Sequence, residues 1–221
     1  MARAVAPSLV SYTEIAYSSG VNMASAAVSW LAGDFIVVIM GAANGGAFTT
    51  PTATGLVFTV LRTNTAATTS AAISAIAYAS ASGSSAISAT SPAAPDGGGI
   101  WVWRTSDGAG STAEQHTATK TLSMTPVDTH SAYCYTVFDF NAGAAGDALV
   151  PTPTTVQESA LQAANYTVYS GNLNDQASSG ATTFGITGAA VTGPFTIMVV
   201  EVLGVATPVV QYTRARVRYR A

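Results

Sequence analysis

The chain has 221 residues, of which 9% are charged, with a formal net charge of −3 and a mean hydropathy of +0.35. An intrinsically disordered chain has the reverse composition, charged and poor in apolar residues, so disorder is excluded. The length suits one large all-β domain or two small ones, with a polar surface built from Ser, Thr, Asn and Gly rather than from charge.

The strongest apolar run, FIVVIM at 35–40, ends at Gly41. It falls far short of the roughly 20 residues that a membrane-spanning helix needs. The opening MARAVAPSLVSYTE has no apolar h-region, which predicts a protein made in a cytoplasm without a signal peptide. Cys134 is the sole cysteine, so no internal disulfide and no cysteine-based zinc site is expected.

Along the chain the signals are those of strands. SLVSYTEIAY (8–17) alternates in part. DFIVVIMG is continuously apolar, as in a central strand buried on both faces. GLVFTVLR (55–62) and AAISAIAYAS (71–80) follow, the second with small residues suited to close layer packing. IWVWR (100–104) places Trp101 and Trp103 on one face, with Ile100, Val102 and Arg104 on the other. HSAYCYTVFDF (130–140) places Ala132, Cys134, Thr136, Phe138 and Phe140 opposite Ser131, Tyr133, Tyr135, Val137 and Asp139. YTVYS, TTFGI and FTIMVVEVLGVA complete the body. One short helix is expected at 154–164, after Pro151 and Pro153. Gly- and Pro-rich turns separate these runs, and about ten short strands so spaced predict an all-β, antiparallel β-sandwich, jelly-roll-like. No repeat of residues is visible. The first boundary expected lies near residue 207, giving a body over 1–207 and an extended C-terminal arm over 208–221.

The candidate chemistry is sparse. His116 and His130 are the only histidines, and neither lies in a nucleophile motif such as G-x-S-x-G. His130 is read as bordering its strand rather than as an acid–base group. Asp96 and Asp107 stand in Gly-rich turns without the alternating oxygen ligands of a calcium loop. Cys134 reads as a small buried hydrophobe. Trp101 and Trp103 read as core rather than as a sugar platform. Glu201 shares a face with Ile197, Val199 and Leu203, and a buried carboxylate needs a partner; Arg62 or Arg104 is expected to supply it. The residues predict no enzyme, no cofactor and no metal site.

VSWLAGDFIVVIMGA resembles the W-x-x-G-D signature, followed by an apolar strand, of small β-sandwich proteins in tailed-phage structural modules; Trp30, Gly33 and Asp34 carry it. TPTATGLVFTVLR is similar to the following turn and strand through Pro51 and Gly55, and GPFTIMVVEV to the last apolar strand. The resemblance spans roughly 8–205. It implies a virion structural protein of the minor tail, minor capsid or decoration type, and no catalytic residues. The favoured reading is a capsid decoration or minor capsid protein, with a minor tail protein, or a tail-tip carbohydrate- or receptor-binding module using Trp and Tyr at loop ends, as the alternative. The expected location is the virion, and the expected partners are other virion proteins and copies of the same chain, with a trimer as one arrangement.

The C-terminal QYTRARVRYRA lies outside that pattern. Four of the eight Lys and Arg residues are Arg214, Arg216, Arg218 and Arg220; without them the remaining four positive and eleven negative charges give −7. In extended backbone these four guanidinium groups share one face about 6.5–7 Å apart, with Thr213, Ala215, Val217 and Tyr219 opposite. Arginine forks pair with carboxylates, so the stripe, with Tyr212 and Tyr219, predicts a docking arm for an acidic surface on a neighbour. Nucleic acid is the weaker reading, because the body is negative. A solvated edge strand guarded by charge is the plain alternative.

Overall fold

The computed structural model describes residues 4–5, 9–17, 22–43, 46–64, 70–91, 97–106, 108–117, 120–127, 130–139, 148–153, 155–158, 167–176, 180–187 and 195–206. These residues form sixteen strands and no helix. The first half of the chain holds β1 (Ala4–Val5), β2 (Leu9–Tyr17), β3 (Asn22–Trp30), β4 (Phe35–Ala43), β5 (Phe58–Asn64), β6 (Ser70–Tyr78), β7 (Gly83–Thr90) and β8 (Gly97–Thr105). The second holds β9 (Gly108–Thr117), β10 (Thr121–Met124), β11 (Ser131–Asp139), β12 (Ala148–Val150), β13 (Thr155–Glu158), β14 (Thr167–Gln176), β15 (Thr182–Thr187) and β16 (Phe195–Ala206).

All pairings between these strands are antiparallel, and they build four stacked layers. A first main sheet runs β2-β8-β4-β6-β5. Its outer face is covered by β3 and β7, joined by a bridge from Thr52 to Ser88. A second main sheet runs β16-β11-β14-β13, with β9 and β1 sharing the far side of β16. Its outer face is covered by β10-β15-β12.

Each gap between layers is a core. Ile36, Val38, Met40, Ile100 and Val102 of the first sheet pack on Met23, Val28, Trp30 and Ile87 of its cover. Val37, Ile39, Trp101 and Trp103 meet Cys134, Phe138, Met198 and Val200 between the two main sheets. Tyr133, Tyr135, Val137, Ile197 and Val199 meet Phe184, Ile186 and Leu149 beneath the second cover. This explains the unbroken apolar run of β4: both of its faces abut a core, so neither alternates with water. The face assignments read for β8 and β11 match this packing.

The helix expected over 154–164 is corrected where the chain is described. Thr155–Glu158 is strand β13, paired with β14 from Thr155 opposite Asn172 to Glu158 opposite Tyr169. The β-branched Thr155 and Val156 favour that extended pairing. The segment 208–221 lies outside the described residues.

The two halves repeat one strand order. Reading β9 for β2, β10 for β3, β11 for β4, β13 for β5, β14 for β6, β15 for β7 and β16 for β8 converts the first main sheet and its cover into the second. The Thr52 bridge to Ser88 takes the place that β12 fills beside β15.

Candidate functional site

The W-x-x-G-D stretch forms the turn that carries β3 into β4. Trp30 is buried in the outer core, and its Nε1 donates to the Ala81 carbonyl at 3.1 Å. Gly33 adopts φ 96°, a left-handed conformation that glycine takes without strain, and its N–H donates to the Ala79 carbonyl at 2.8 Å. The buried carboxylate of Asp34 accepts the Leu31 N–H at 2.8 Å, and its carbonyl accepts the Ala79 N–H at 2.8 Å. Arg104 Nε stands 3.6 Å from Asp34 Oδ2, an ion pair rather than a hydrogen bond, while Nη1 donates to the Ser29 carbonyl at 2.9 Å. Every residue of the signature is thus engaged in fixing the turn.

Glu201 is fully buried on the outer face of the second main sheet. Its Oε1 accepts the Val127 N–H at 2.9 Å and the Ser131 hydroxyl. The expected pairing with Arg104 is corrected: that guanidinium belongs to the first sheet and is held by Asp34 and Ser29. Arg62 likewise belongs to the first sheet, on its exposed edge strand β5. Burial, and then the Glu201 charge, raise the Tyr133 phenol well above its ordinary range. Burial alone does the same to Tyr135, whose hydroxyl donates to the Pro151 carbonyl at 2.7 Å. It also raises the Cys134 thiol, as befits a cysteine packed as a hydrophobe.

His130 borders β11, and its Nδ1 lies 2.9 Å from Asp175 Oδ1. Asp175 itself sits at φ 49° near the end of β14. The adjacent hydroxyl, on Ser131, points inward and donates to Glu201. The histidine therefore has a carboxylate beside it, while the neighbouring serine is committed elsewhere. Trp101 and Trp103 are buried between the main sheets, where no sugar ring can reach them. Among the described residues no group of three His, Cys, Asp or Glu side chains could hold a metal ion. An open depression of about 370 Å³ on the first cover is lined by Thr52, Ala53, Thr54, Ser85, Ala86 and Ser88, with no charged group.

The arginine stripe, Arg214, Arg216, Arg218 and Arg220 with Tyr212 and Tyr219, lies outside the described residues, as do Asp96 and Asp107. Sequence reasoning missed Asp175 as the partner of His130, and Ser131 and Val127 as the partners of Glu201. None of these carries a local signal, because each contact joins residues at least 45 positions apart. No family model, curated protein or solved structure matches the chain.

Proposed function

We propose that the chain is a structural component of a bacteriophage particle, a decoration or minor capsid protein on the head, and that each half is a jelly roll. The observation that carries this reading is the strand order. In each half the chain passes between a main sheet and its cover, apart from one step within the main sheet, and ends in the strand between the first two that it laid there. Two-sheet folds of this kind are common in viral capsid and lectin domains. The W-x-x-G-D turn supports the same family, since its residues serve the fold and none is left over for catalysis. The low charge suits a body whose faces are covered by neighbours. The arm over 208–221 docks the body by laying its four arginines on an acidic neighbour.

The test is gold labelling of purified particles with an antibody to this chain, viewed by electron microscopy. Label spread over the heads is the expected result. Label confined to tails would replace the head assignment with a tail protein, and glycan binding would then be measured. Absence of the chain from both intact and denatured particles would overturn the virion reading.

A further inference from the structure

We infer that the chain is one structural unit used twice, and that the inner faces of the two units dock on each other about a local two-fold axis. The units run from β2 to β8 and from β9 to β16. The first support is register. In the first unit Val37 pairs with Trp103 and Ile39 with Trp101; in the second Cys134 pairs with Val200 and Thr136 with Met198. Each residue of the second set stands 97 positions after its counterpart, and the same displacement relates every pair from Phe35↔Thr105 to Ala42↔Gly98 onto Ala132↔Val202 through Asp139↔Phe195. A slip of one residue would reverse the faces of a strand, so agreement along whole ladders is a demanding match. The covers agree as well: Ile87 and Ala89 of β7 correspond to Phe184 and Ile186 of β15, and all four are core residues beneath their covers.

The second support is the contact between units. Val37, Ala72, Trp101 and Trp103 face the shared core, and so do their counterparts Cys134, Val168, Met198 and Val200. Gly41 and Phe138 are themselves counterparts, and they touch. Contact between equivalent positions is the mark of a two-fold, isologous interface. Among the described residues no strand of one unit pairs with a strand of the other; β1, which precedes both units, pairs with β16. The turns correspond too: Leu31 N–H and Val127 N–H each meet a buried carboxylate, supplied by Asp34 in one unit and by Glu201 in the other. Glu201 stands at the position of Arg104.

The two faces are unlike in a complementary way. Gly41 receives Phe138, and the bulk of Trp101 and Trp103 is set against Met198 and Val200. Two first-unit faces would bring four tryptophans together over a gap at the glycines, and two second-unit faces would set phenylalanine on phenylalanine. Each face thus prefers its covalent neighbour to a like copy.

The test uses the full chain. The swapped double variant Gly41→Phe with Phe138→Gly is compared with each single variant by denaturant unfolding. If the two positions are related by the two-fold, the swap restores the packing, and the double variant unfolds at a higher midpoint than either single. A double variant as weak as the two losses combined would overturn the inference. Should a single variant fail to fold, a protease site placed between Thr105 and Gly108 gives a second measurement. After cleavage of the folded chain the fragments are expected to co-elute with the β-sheet signal unchanged. Loss of that signal, or separation of the fragments, would overturn it equally.

Discussion

Phe138 on β11 lies over Gly41 on β4, with its ring in the space that a side chain at position 41 would need: a Cβ built there falls 2.1 Å from Phe138 Cε1. The same ring meets Trp101 edge-on, with centroids 5.3 Å apart. Gly41→Ala therefore forces the ring or the sheets apart and is expected to cost about 1–3 kcal/mol, the usual range for an overpacked core. At roughly 2–4 °C per kcal/mol for a chain of this size, a melting curve resolves the loss. An unchanged midpoint would mean that the sheets are not in contact at this point.

Tyr133 and Tyr135 offer a paired comparison, because both pack against Phe184, with centroids 4.9 and 5.1 Å away. Tyr135 donates to Pro151, so Tyr135→Phe is expected to cost about 0.5–1.5 kcal/mol. The Tyr133 hydroxyl is buried without a hydrogen-bond partner among the described residues, so Tyr133→Phe is expected to be neutral or stabilising. Denaturant unfolding of the two variants side by side distinguishes the roles.

Alkaline stability follows from the same residues. Cys134 ordinarily ionises near 9.0 and the tyrosines near 10.0, and in the folded chain all three are raised. Their neutral forms contribute stability fully below these ordinary values. Above them the unfolded chain releases protons that the folded chain retains, so stability falls as pH rises towards the folded values. Unfolding midpoints measured above pH 9 are expected to fall, and Tyr133→Phe is expected to flatten part of that fall. An equal fall in the variant would remove Tyr133 from the account.

At Glu201 the prediction separates charge from geometry. Glu201→Ala removes the charged acceptor of the Val127 N–H and of the buried Ser131 hydroxyl, and is expected to cost about 1.5–3 kcal/mol. Glu201→Gln keeps an oxygen acceptor and is expected to lose less. Equal losses in a denaturant titration would show that those two hydrogen bonds are not what the carboxylate provides.

Removal of 212–221 should leave the body folded and should weaken incorporation into particles. Quantitative blotting of purified particles against the full-length chain measures this. Undiminished incorporation would rule out the docking arm.

How far the sequence could be read depended on the range of each interaction. The faces of β8 and β11 follow from a two-residue period, which is local, and the same holds for the double burial of β4. The burial of Glu201 was legible for that reason, but its partners were not, because the register that places Val127 and Ser131 beside it is set by pairing across the sheet. Strands β3, β7 and β9 are rich in Ala, Ser, Thr and Gly, which mark neither face, so only their neighbours define them. The repeat is hidden because burial constrains polarity more than identity. Trp101 answers to Met198 and Gly41 to Phe138, while Arg104 and Glu201 serve corresponding turns with opposite charges. The arginine stripe was the plainest signal in the sequence, yet it lies outside the described residues.

The short strand β1 sets Val5 opposite Val205 and Ala4 opposite Ala206, at the end of the last strand. The described chain is therefore a nearly closed loop, sealed by one two-residue ladder. A load applied in opposite directions at its two ends would bear first on that ladder, before either main sheet is strained. A linker joining the ends, with a new opening between Thr105 and Gly108, would exchange the order of the two units while sparing every strand of both.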